Sequence, residues 1–408
     1  MDEHGAWMDP DFSDLVELLR RRAEERPDAV GYRFLNDPDA GEGEPLTWGG
    51  LDRRARAVAA ALIRAGASGE RALLLYPPGL DYLAAFFGCL YAGTVAVPVY
   101  PPRPRPRSNS RSDSGPGNGS AARAAGRVLS ILQDARAVFA LTTGEVLAGI
   151  PREMRPAAGP AWITTDGLDP ASAADWRKPD LSSASLAFLQ YTSGSTAAPK
   201  GVMLTHGNLL HNLEVIRRGF GLQPTDRAVL WLPPYHDMGL IGGILAPLYT
   251  AFPVTLFSPM AFLQRPARWV EAVSRFGATV SGGPNFAYDL AVRKTDEAQR
   301  AALDLSGWRV AFNGAEPVRS ETLVRFARAF APAGFDRRAF YPCYGLAEGT
   351  LFVTGGARGE GATVERFRSD DLEAHRASRA AADEERSRLL VSSGRSVRAA
   401  EAEDRGEQ

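Results

Sequence analysis

Cysteine is scarce in this sequence. The two cysteines among 408 residues, Cys89 and Cys343, lie far apart and show neither a disulfide framework nor the spacing of a metal site. Such usage is typical of a reducing cytoplasm, which is the predicted location. The N-terminus is acidic and has no hydrophobic segment, so it does not resemble a signal peptide.

An excess of charge and a long apolar run are also missing. The formal net charge is −1, so we expect no nucleic acid partner. The most apolar window, 80–100, is interrupted by Asp81, Gly93 and Pro98, which favours a buried helix and strand over an integral membrane segment. With 45% apolar and 23% charged residues, the composition indicates an ordinary soluble protein, large enough for more than one domain.

The sequence does contain an alternation of short apolar strands with amphipathic helices. Strands are predicted at 29–35, 72–76 and 95–99, with helices around 51–62 and 82–91 between them. This alternation continues beyond residue 120. Strands that alternate with helices predict an α/β fold with a largely parallel sheet.

Three stretches depart from this pattern. Residues 101–120 combine proline and arginine with a Ser, Gly and Asn tract, which predicts a disordered, low-complexity loop. Residues 357–390 are charged and rich in alanine, and 370–390 is predicted to be a solvated helix. Residues 391–408 are predicted to be a frayed, truncated tail. The main domain is therefore predicted to span 1–356.

A loop near the middle of the chain has the chemistry of a polyanion site. An apolar run, Leu186–Leu189, leads into hydroxylated residues and then Lys200. The loop residues are Thr192, Ser193, Gly194, Ser195 and Thr196. Backbone N–H groups, hydroxyls and a lysine suit phosphate, although a plain surface turn is the alternative. Pro199 and Gly201 stand where a Walker A loop needs Gly and Ser or Thr, so it is not that motif.

A second motif surrounds His236, at the end of a predicted strand. Its neighbour Asp237 suggests a catalytic triad, but adjacent residues of a strand point to opposite faces. The chain contains no G-x-S-x-G, which weakens a serine-hydrolase interpretation. A hydrogen-bonded structural histidine is the alternative.

Two further turns could bind a nucleotide. The first contains Asn313, Gly314, Ala315, Glu316 and Pro317. The second contains Tyr344, Gly345, Leu346, Ala347 and Glu348. Gly314 permits close approach of a flat ring, Tyr344 offers a face for stacking, and Glu348 offers a hard oxygen ligand for Mg²⁺. A plain β-turn, a packing aromatic and a surface carboxylate are the alternatives.

Taken in order, these motifs resemble those of the AMP-forming adenylating enzymes, which include acyl-CoA synthetases, adenylation domains and luciferases. The resemblance spans roughly 12–356, and Ala197 replaces the family's usual second glycine in the phosphate loop. The fatty acyl-AMP ligase branch is favoured by W-L-P-P-Y-H-D-M-G at 231–239, Y-P-P-G at 76–79 and L-Q-Y at 189–191.

The resemblance implies a fold and a set of roles. The fold is the large N-terminal domain of adenylate-forming enzymes, with two α/β sheet subdomains and a small β-barrel-like part. ATP would be held through its β,γ-phosphates by Ser193–Thr196 and Lys200, and on its adenine side by the two later turns. Glu348 would bind Mg²⁺, and His236 would orient a fatty acid carboxylate. Ile241, Ile244 and Leu245 are predicted to line the acyl tunnel.

The resemblance also implies an acceptor for the acyl group. The segment 358–388 lies where the branch carries an insertion thought to disfavour CoA, so an acyl carrier protein or polyketide synthase is the expected partner. A long-chain acyl-CoA synthetase and a non-catalytic acyl-nucleotide binding module are the alternatives. The family's later Thr-Gly-Asp, hinge and small C-terminal domain with its catalytic lysine are not found here. We therefore expect this chain to form adenylate slowly or not at all.

Overall fold

In a computed structural model of the chain, the structure describes residues 12–101, 117–155, 159–192 and 199–396. Contacts divide the chain into two units. Unit 1 comprises residues up to Tyr32, Pro45–His211 and Pro234–Asp237. Unit 2 comprises Arg33–Glu44, Asn212–Pro233 and the residues from Met238 onward. The four residues Pro234–Asp237, which include His236, are thus assigned to unit 1, while the chain on both sides of them is assigned to unit 2.

The strands and helices alternate as predicted. The strands are β1 Val30–Leu35, β2 Glu44–Thr47, β3 Arg71–Leu75, β4 Val95–Val99, β5 Phe139–Thr142, β6 Ala161–Thr164, β7 Leu186–Thr192, β8 Lys200–Thr205, β9 Ala228–Leu230, β10 Val254–Phe257, β11 Val280–Gly282, β12 Val310–Asn313, β13 Phe340–Gly345, β14 Phe352–Gly355, β15 Val364–Arg368 and β16 Ser387–Val391. The α-helices are α1 Leu15–Glu25, α2 Trp48–Arg64, α3 Leu80–Ala92, α4 Gly117–Ala135, α5 Gly144–Gly149, α6 His206–Gly219, α7 Ala246–Thr250, α8 Pro259–Gln264, α9 Ala267–Arg275, α10 Asn285–Lys294, α11 Glu297–Ala301, α12 Ser320–Phe330 and α13 Ser369–Glu373. A π-helix, Met238–Leu245, directly precedes α7.

Unit 1 is built on a sheet with the order β6-β5-β3-β4-β7-β8. Its strand pairs are parallel except for β7 and β8, which are antiparallel. The central strands are apolar on both faces, as expected where helices cover both sides of a parallel sheet. Helices α2 and α3 approach closely at Gly88, where a side chain would overlap Val58.

Unit 2 is built on a second sheet with the order β14-β13-β12-β11-β9-β10, followed by β1 and β2, of which residues 33–35 and 44 belong to this unit. From β13 through β12, β11 and β9 to β10, each neighbouring pair is parallel, whereas β13 and β14 are antiparallel. Its core is aromatic and centres on Trp269, which is fully buried and contacts Tyr288 and Trp308 edge-on. The Trp269 indole N–H donates to Ser281 Oγ at 2.8 Å, so its one polar group is satisfied. The predicted α/β class is confirmed.

The segment after residue 356 differs from its prediction. The solvated helix expected at 370–390 is wrong, because helix α13 ends at Glu373 and the chain returns as β16. Strands β15 and β16 pair antiparallel, and the ion pairs Arg379–Glu365 and Arg368–Glu384 satisfy charges that a helix would have left to solvent. This ribbon is open, and no sheet of the described residues closes into a barrel.

The end of the loop predicted at 101–120 is helical. Residues 102–116 lie outside the described residues, but α4 begins at Gly117, so the last four residues of the predicted loop are helical.

Among the described residues, no helix combines the length and the apolarity needed to cross a membrane.

Candidate functional site

The predicted site residues of unit 1 lie on a hairpin and on one turn. In the hairpin, β7 and β8 pair so that Thr192 lies opposite Lys200. Ser193, Gly194, Ser195 and Thr196 lie outside the described residues, so their predicted contacts stay predictions. Lys200 is exposed, forms no ion pair with the described residues and is one of only three lysines in the sequence. The hairpin therefore places a lysine, unpaired among the described residues, where the loop rejoins the sheet.

The base of this hairpin is held by a tyrosine. The Tyr191 hydroxyl donates to Asp134 Oδ2 at 2.5 Å, and burial raises the pKa of Tyr191 above its ordinary value, so it remains a donor. Its ring lies over Gly201, where an added Cβ would be 2.9 Å from the ring. The glycine after Lys200 is therefore required by cross-strand packing.

The turn that carries His236 begins and ends with a close backbone approach inside unit 2. A Cβ at Gly239 would overlap the carbonyl oxygen of Pro233, so only glycine fits where the chain turns back. Pro234 and Tyr235 form the turn itself, and Asp237 is the first helical residue. Glycine is therefore needed at position 239, because the backbone of Pro233 leaves no room for a side chain.

His236 and Asp237 contact each other, contrary to the sequence argument. Their Nδ1 and Oδ1 atoms are 2.5 Å apart. The opposite-faces rule did not apply, because these residues lie in a turn entering a helix rather than in a strand. The His236 side chain is 61% exposed, so its ring is accessible to a ligand while it is hydrogen-bonded to Asp237. The hydrogen bond to Asp237 raises the pKa of His236, so the imidazole stays cationic to a higher pH than a free histidine.

The predicted site residues of unit 2 follow two neighbouring strands. Strands β12 and β13 are parallel, with Asn313 opposite Pro342, so their carboxyl ends meet at one edge of the sheet. A Cβ at Gly314 would be 3.0 Å from the carbonyl oxygen of Cys343. The structure therefore brings the two predicted turns, 313–317 and 344–348, together. Ala315 has φ +69°, a left-handed conformation that costs about 1–2 kcal/mol for a residue with a Cβ.

The first turn is clamped by Asn285, which the sequence reasoning missed. Its Nδ2 donates to the Pro317 carbonyl at 2.9 Å, and its Oδ1 accepts from the Arg319 N–H at 3.0 Å and from Asn313 Nδ2 at 3.2 Å. The Oδ1 of Asn313 is buried and has no partner among the described residues. A Gly-Gly-Pro-Asn run at 282–285, directly after a strand, was the available signal.

The second turn is a tight reversal. A Cβ at Gly345 would overlap the Leu351 carbonyl oxygen, and the Leu346 N–H donates to that oxygen at 3.0 Å. Asn212 secures the return strand, since it donates to the Phe352 carbonyl at 2.8 Å and accepts from the Phe352 N–H at 3.0 Å. Asn212 is a second residue that the sequence reasoning missed.

This reversal leaves Tyr344 and Glu348 facing solvent. Tyr344 is 52% exposed, and Glu348 lies in the short 3-10 turn Ala347–Gly349 without an ion pair to the described residues. The described residues contain no group of three or more His, Cys, Asp or Glu that could hold a metal alone. A single free carboxylate fits Mg²⁺, which commonly binds through one carboxylate and substrate phosphates.

Comparison with known proteins identifies the family. A family model described as AMP-binding enzyme matches residues 19–382, which include all the predicted site residues. The chain belongs to the AMP-binding enzyme family. The resemblance of its motifs to this superfamily is thereby confirmed.

Relatives in this family share the predicted branch. The chain is 43% identical over 371 residues to the medium-chain-fatty-acid–[acyl-carrier-protein] ligase JamA of Moorena producens, covering 90% of this chain and 60% of that one. It is 39% identical over 356 residues to the long-chain-fatty-acid–AMP ligase FadD32 of Mycolicibacterium smegmatis, covering 85% and 54%. The fatty acyl-adenylate ligase of Legionella pneumophila, solved with acyl adenylate and pyrophosphate, matches with a TM-score of 0.85 and 39% identity, covering 94% and 64%. The chain thus spans between about half and two thirds of these relatives.

Within this member of the AMP-binding enzyme family, the predicted tunnel residues lie on the π-helix that follows His236. Ile241, Ile244 and Leu245 are all at most 1% exposed in unit 2. Such burial is equally typical of a packed core. Their role as a tunnel lining stays a prediction.

Proposed function

We propose that this chain supplies the nucleotide- and acyl-binding part of an AMP-forming fatty acid ligase, which converts ATP and a fatty acid to acyl-AMP and pyrophosphate. The observation that carries the proposal is the similarity to ligases named for fatty acids, together with a family model match at 19–382 that includes all the motif residues. Lys200 and Glu348 support it, because both are exposed charged groups that form no ion pair with the residues the structure describes. We place the reaction in the cytoplasm, in keeping with the two cysteines.

In the proposed reaction, a carboxylate oxygen of the fatty acid attacks the α-phosphorus of ATP. The bond from that phosphorus to the bridging oxygen breaks, and pyrophosphate leaves with the electron pair. The obstacle is repulsion between an anion and a polyanion, so positioning and electrostatic stabilisation do most of the work. Lys200 and the hydroxylated loop would hold the β,γ-phosphates. Glu348 would hold Mg²⁺, which supplies further neutralising charge.

His236 would act on the carboxylate. Its ion pair with Asp237 raises its pKa, and a cationic imidazole N–H can donate to a carboxylate or α-phosphate oxygen. The exposure of His236 leaves its ring accessible to such a ligand. Asp237 is mostly buried, which suits an orienting partner rather than a group that meets substrate.

We propose that the acyl group then passes to the thiol of an acyl carrier protein. The thiolate attacks the acyl carbon, the bond from that carbon to the phosphate oxygen breaks, and AMP leaves. The carrier named in one relative supports this acceptor. In a reaction supplemented with the remaining part of such a relative, a phosphopantetheinylated carrier should be acylated faster than CoA. Faster acylation of CoA would favour the acyl-CoA synthetase alternative.

Calorimetric titration of the chain tests the binding function. We expect the wild type to bind Mg·ATP and a non-hydrolysable acyl-sulfamoyl adenosine. Lys200→Ala should weaken Mg·ATP binding by at least about tenfold, because a phosphate loses its cation. The exposed Lys294→Ala, which removes the same charge elsewhere, is the control. No binding by the wild type would contradict the proposal. Binding without pyrophosphate exchange, even after the remaining part of a relative is supplied, would favour the non-catalytic module.

A further inference from the structure

The turn that carries His236 is fastened at two successive backbone carbonyls by distant residues of unit 1. Gln190 Nε2 donates to the Tyr235 carbonyl oxygen at 3.0 Å. The Tyr82 hydroxyl donates to the Pro234 carbonyl oxygen at 2.7 Å, and burial raises the pKa of Tyr82 well above its ordinary value, so it remains a donor. Both side chains are at most 2% exposed. The chain just before His236 is therefore held from two elements, β7 and α3.

The ring of Tyr235 is also held. It meets the Tyr100 ring edge-on, with centroids 4.9 Å apart. Edge-to-face pairs at this distance are favourable beyond the area that they bury. The residue preceding His236 is thus fixed through both its carbonyl and its side chain.

Packing alone does not account for a glutamine at position 190. Its Oε1 is buried and has no partner among the described residues, which costs free energy. Turning the amide over would place Oε1 against the Tyr235 carbonyl oxygen, so the donor must point there. A methionine of similar length would fill the space without an orphaned acceptor. The amide is explained by the bond that it donates.

That bond acts on the backbone of His236. The Tyr235 carbonyl belongs to the peptide group that joins Tyr235 to His236, and this group is planar. Fixing the carbonyl therefore fixes the peptide plane that holds the N and Cα atoms from which the His236 side chain extends. The donor lies on β7, two residues before Thr192, where the phosphate loop begins.

We propose that Gln190 is a positioning residue, which holds the peptide plane of His236 in register with the strand that leads into the phosphate loop. The proposal rests on the proposed function, in which His236 orients the carboxylate. Gln190 acts through Tyr235 and His236 and does not itself meet the substrate. Gln190 is the middle residue of L-Q-Y at 189–191, one of the motifs that favoured the fatty acyl-AMP ligase branch.

The first test reads His236 directly and needs no ligand. In Gln190→Met, the freed turn should weaken the contact between His236 and Asp237, so the pKa of His236 measured by NMR should fall toward its ordinary value. Thr142→Val is the matched control, because Thr142 also makes a buried side-chain bond to a backbone carbonyl of this sheet, to Leu75 at 2.6 Å. The control should lose stability and leave the His236 titration unchanged.

The second test measures affinity by calorimetry. Gln190→Met should weaken binding of acyl-sulfamoyl adenosine about tenfold, because a misplaced group loses its contact, while Mg·ATP binding changes less than about twofold. Thr142→Val should change neither. If the wild type binds no analogue, the proposed function fails while the NMR titration still decides the role of Gln190.

Tyr82→Phe is the second variant, should Gln190→Met not fold. It removes one hydroxyl and the neighbouring bond to Pro234, so the His236 titration should move in the same direction by a smaller amount. An unchanged His236 titration in every folded variant, with analogue affinity equal to that of Thr142→Val, would overturn the proposal.

Discussion

The two units hold their site residues in different ways. In unit 2, the turns after β12 and β13 are shaped first by close backbone approach, since Gly314 and Gly345 lie where any side chain would meet a carbonyl group, and the side chains of Asn285 and Asn212 only reinforce them. In unit 1, the turn before His236 is held by side chains far away in sequence, Gln190 and Tyr82. A close backbone approach requires a glycine, which is visible in the sequence. A hydrogen bond between side chains and backbone that are distant in the chain leaves no such mark. The first kind of site should therefore be harder to alter without unfolding than the second.

The largest expected effect tests the backbone-shaped turn. Gly345→Ala should destabilise the protein by at least about 3 kcal/mol, because the new Cβ overlaps the Leu351 carbonyl oxygen and the backbone must shift. Urea unfolding measures this loss. Gly167→Ala is the control, since nothing lies within 4 Å of its Cβ position. Equal stability of the two variants would refute the difference drawn between the units.

The next effect is a loss of stability at low pH, caused by His206 in unit 1. His206 is buried, its Nδ1 accepts from the Leu15 N–H at 3.2 Å, and desolvation lowers its pKa from 6.5 to about 4. The unfolded chain thus binds the proton more readily, so stability is full above about pH 6.5 and falls as the pH approaches 4. At about 1.36 kcal/mol per pH unit, the full loss is about 3 kcal/mol.

Urea unfolding at pH 7 and pH 5 measures the part of this loss that falls between the two values, about 2 kcal/mol. His206→Asn keeps an acceptor near the Leu15 N–H without a titrating ring, so it should flatten the dependence between these two values. Asp14 titrates in a lower range, because its hydrogen bonds hold its pKa below the ordinary value. The same slope in His206→Asn as in the wild type would assign the acid sensitivity to other groups.

A smaller effect concerns Asn285, which holds the turn after β12 in unit 2. Asn285→Ala removes the clamp on the turn 313–319 and should cost about 2 kcal/mol, since two part-buried hydrogen bonds to the backbone are lost. It should also weaken Mg·ATP binding, as measured by calorimetry. Asn208→Ala, which removes the acceptor for the Thr205 N–H in unit 1, is the control. Unchanged nucleotide affinity in Asn285→Ala would show that the turn needs no clamp to bind.

The smallest effect lies on the ribbon of β15 and β16. Arg379→Ala breaks an exposed ion pair with Glu365 and should change stability by less than about 0.5 kcal/mol, because solvent screens both charges. Thermal unfolding in low and high salt measures it. A loss above about 1 kcal/mol would mean that this ribbon of unit 2 depends on its charges for stability.

Local patterns predicted much of the fold and of the motif chemistry. The alternating apolar runs located β1, β3 and β4, and the glycines located both turns of unit 2. The contact between His236 and Asp237 was missed, because the strand rule was applied to a turn. Asn285 and Asn212 were missed because each bonds to backbone more than 25 residues away. Composition misread 370–390, since a charged ribbon and a solvated helix share the same residue types.

By itself, the amino-acid sequence determined the α/β class and the order of the motifs, because both follow from patterns among neighbouring residues. The tertiary structure alone decided that Asp237 bonds to His236, that Gln190 and Tyr82 hold the chain before it, and that Asn285 clamps the turn after Asn313. Hydrogen bonds between residues distant in the chain have no local pattern, so they exist only once the strands and helices have packed.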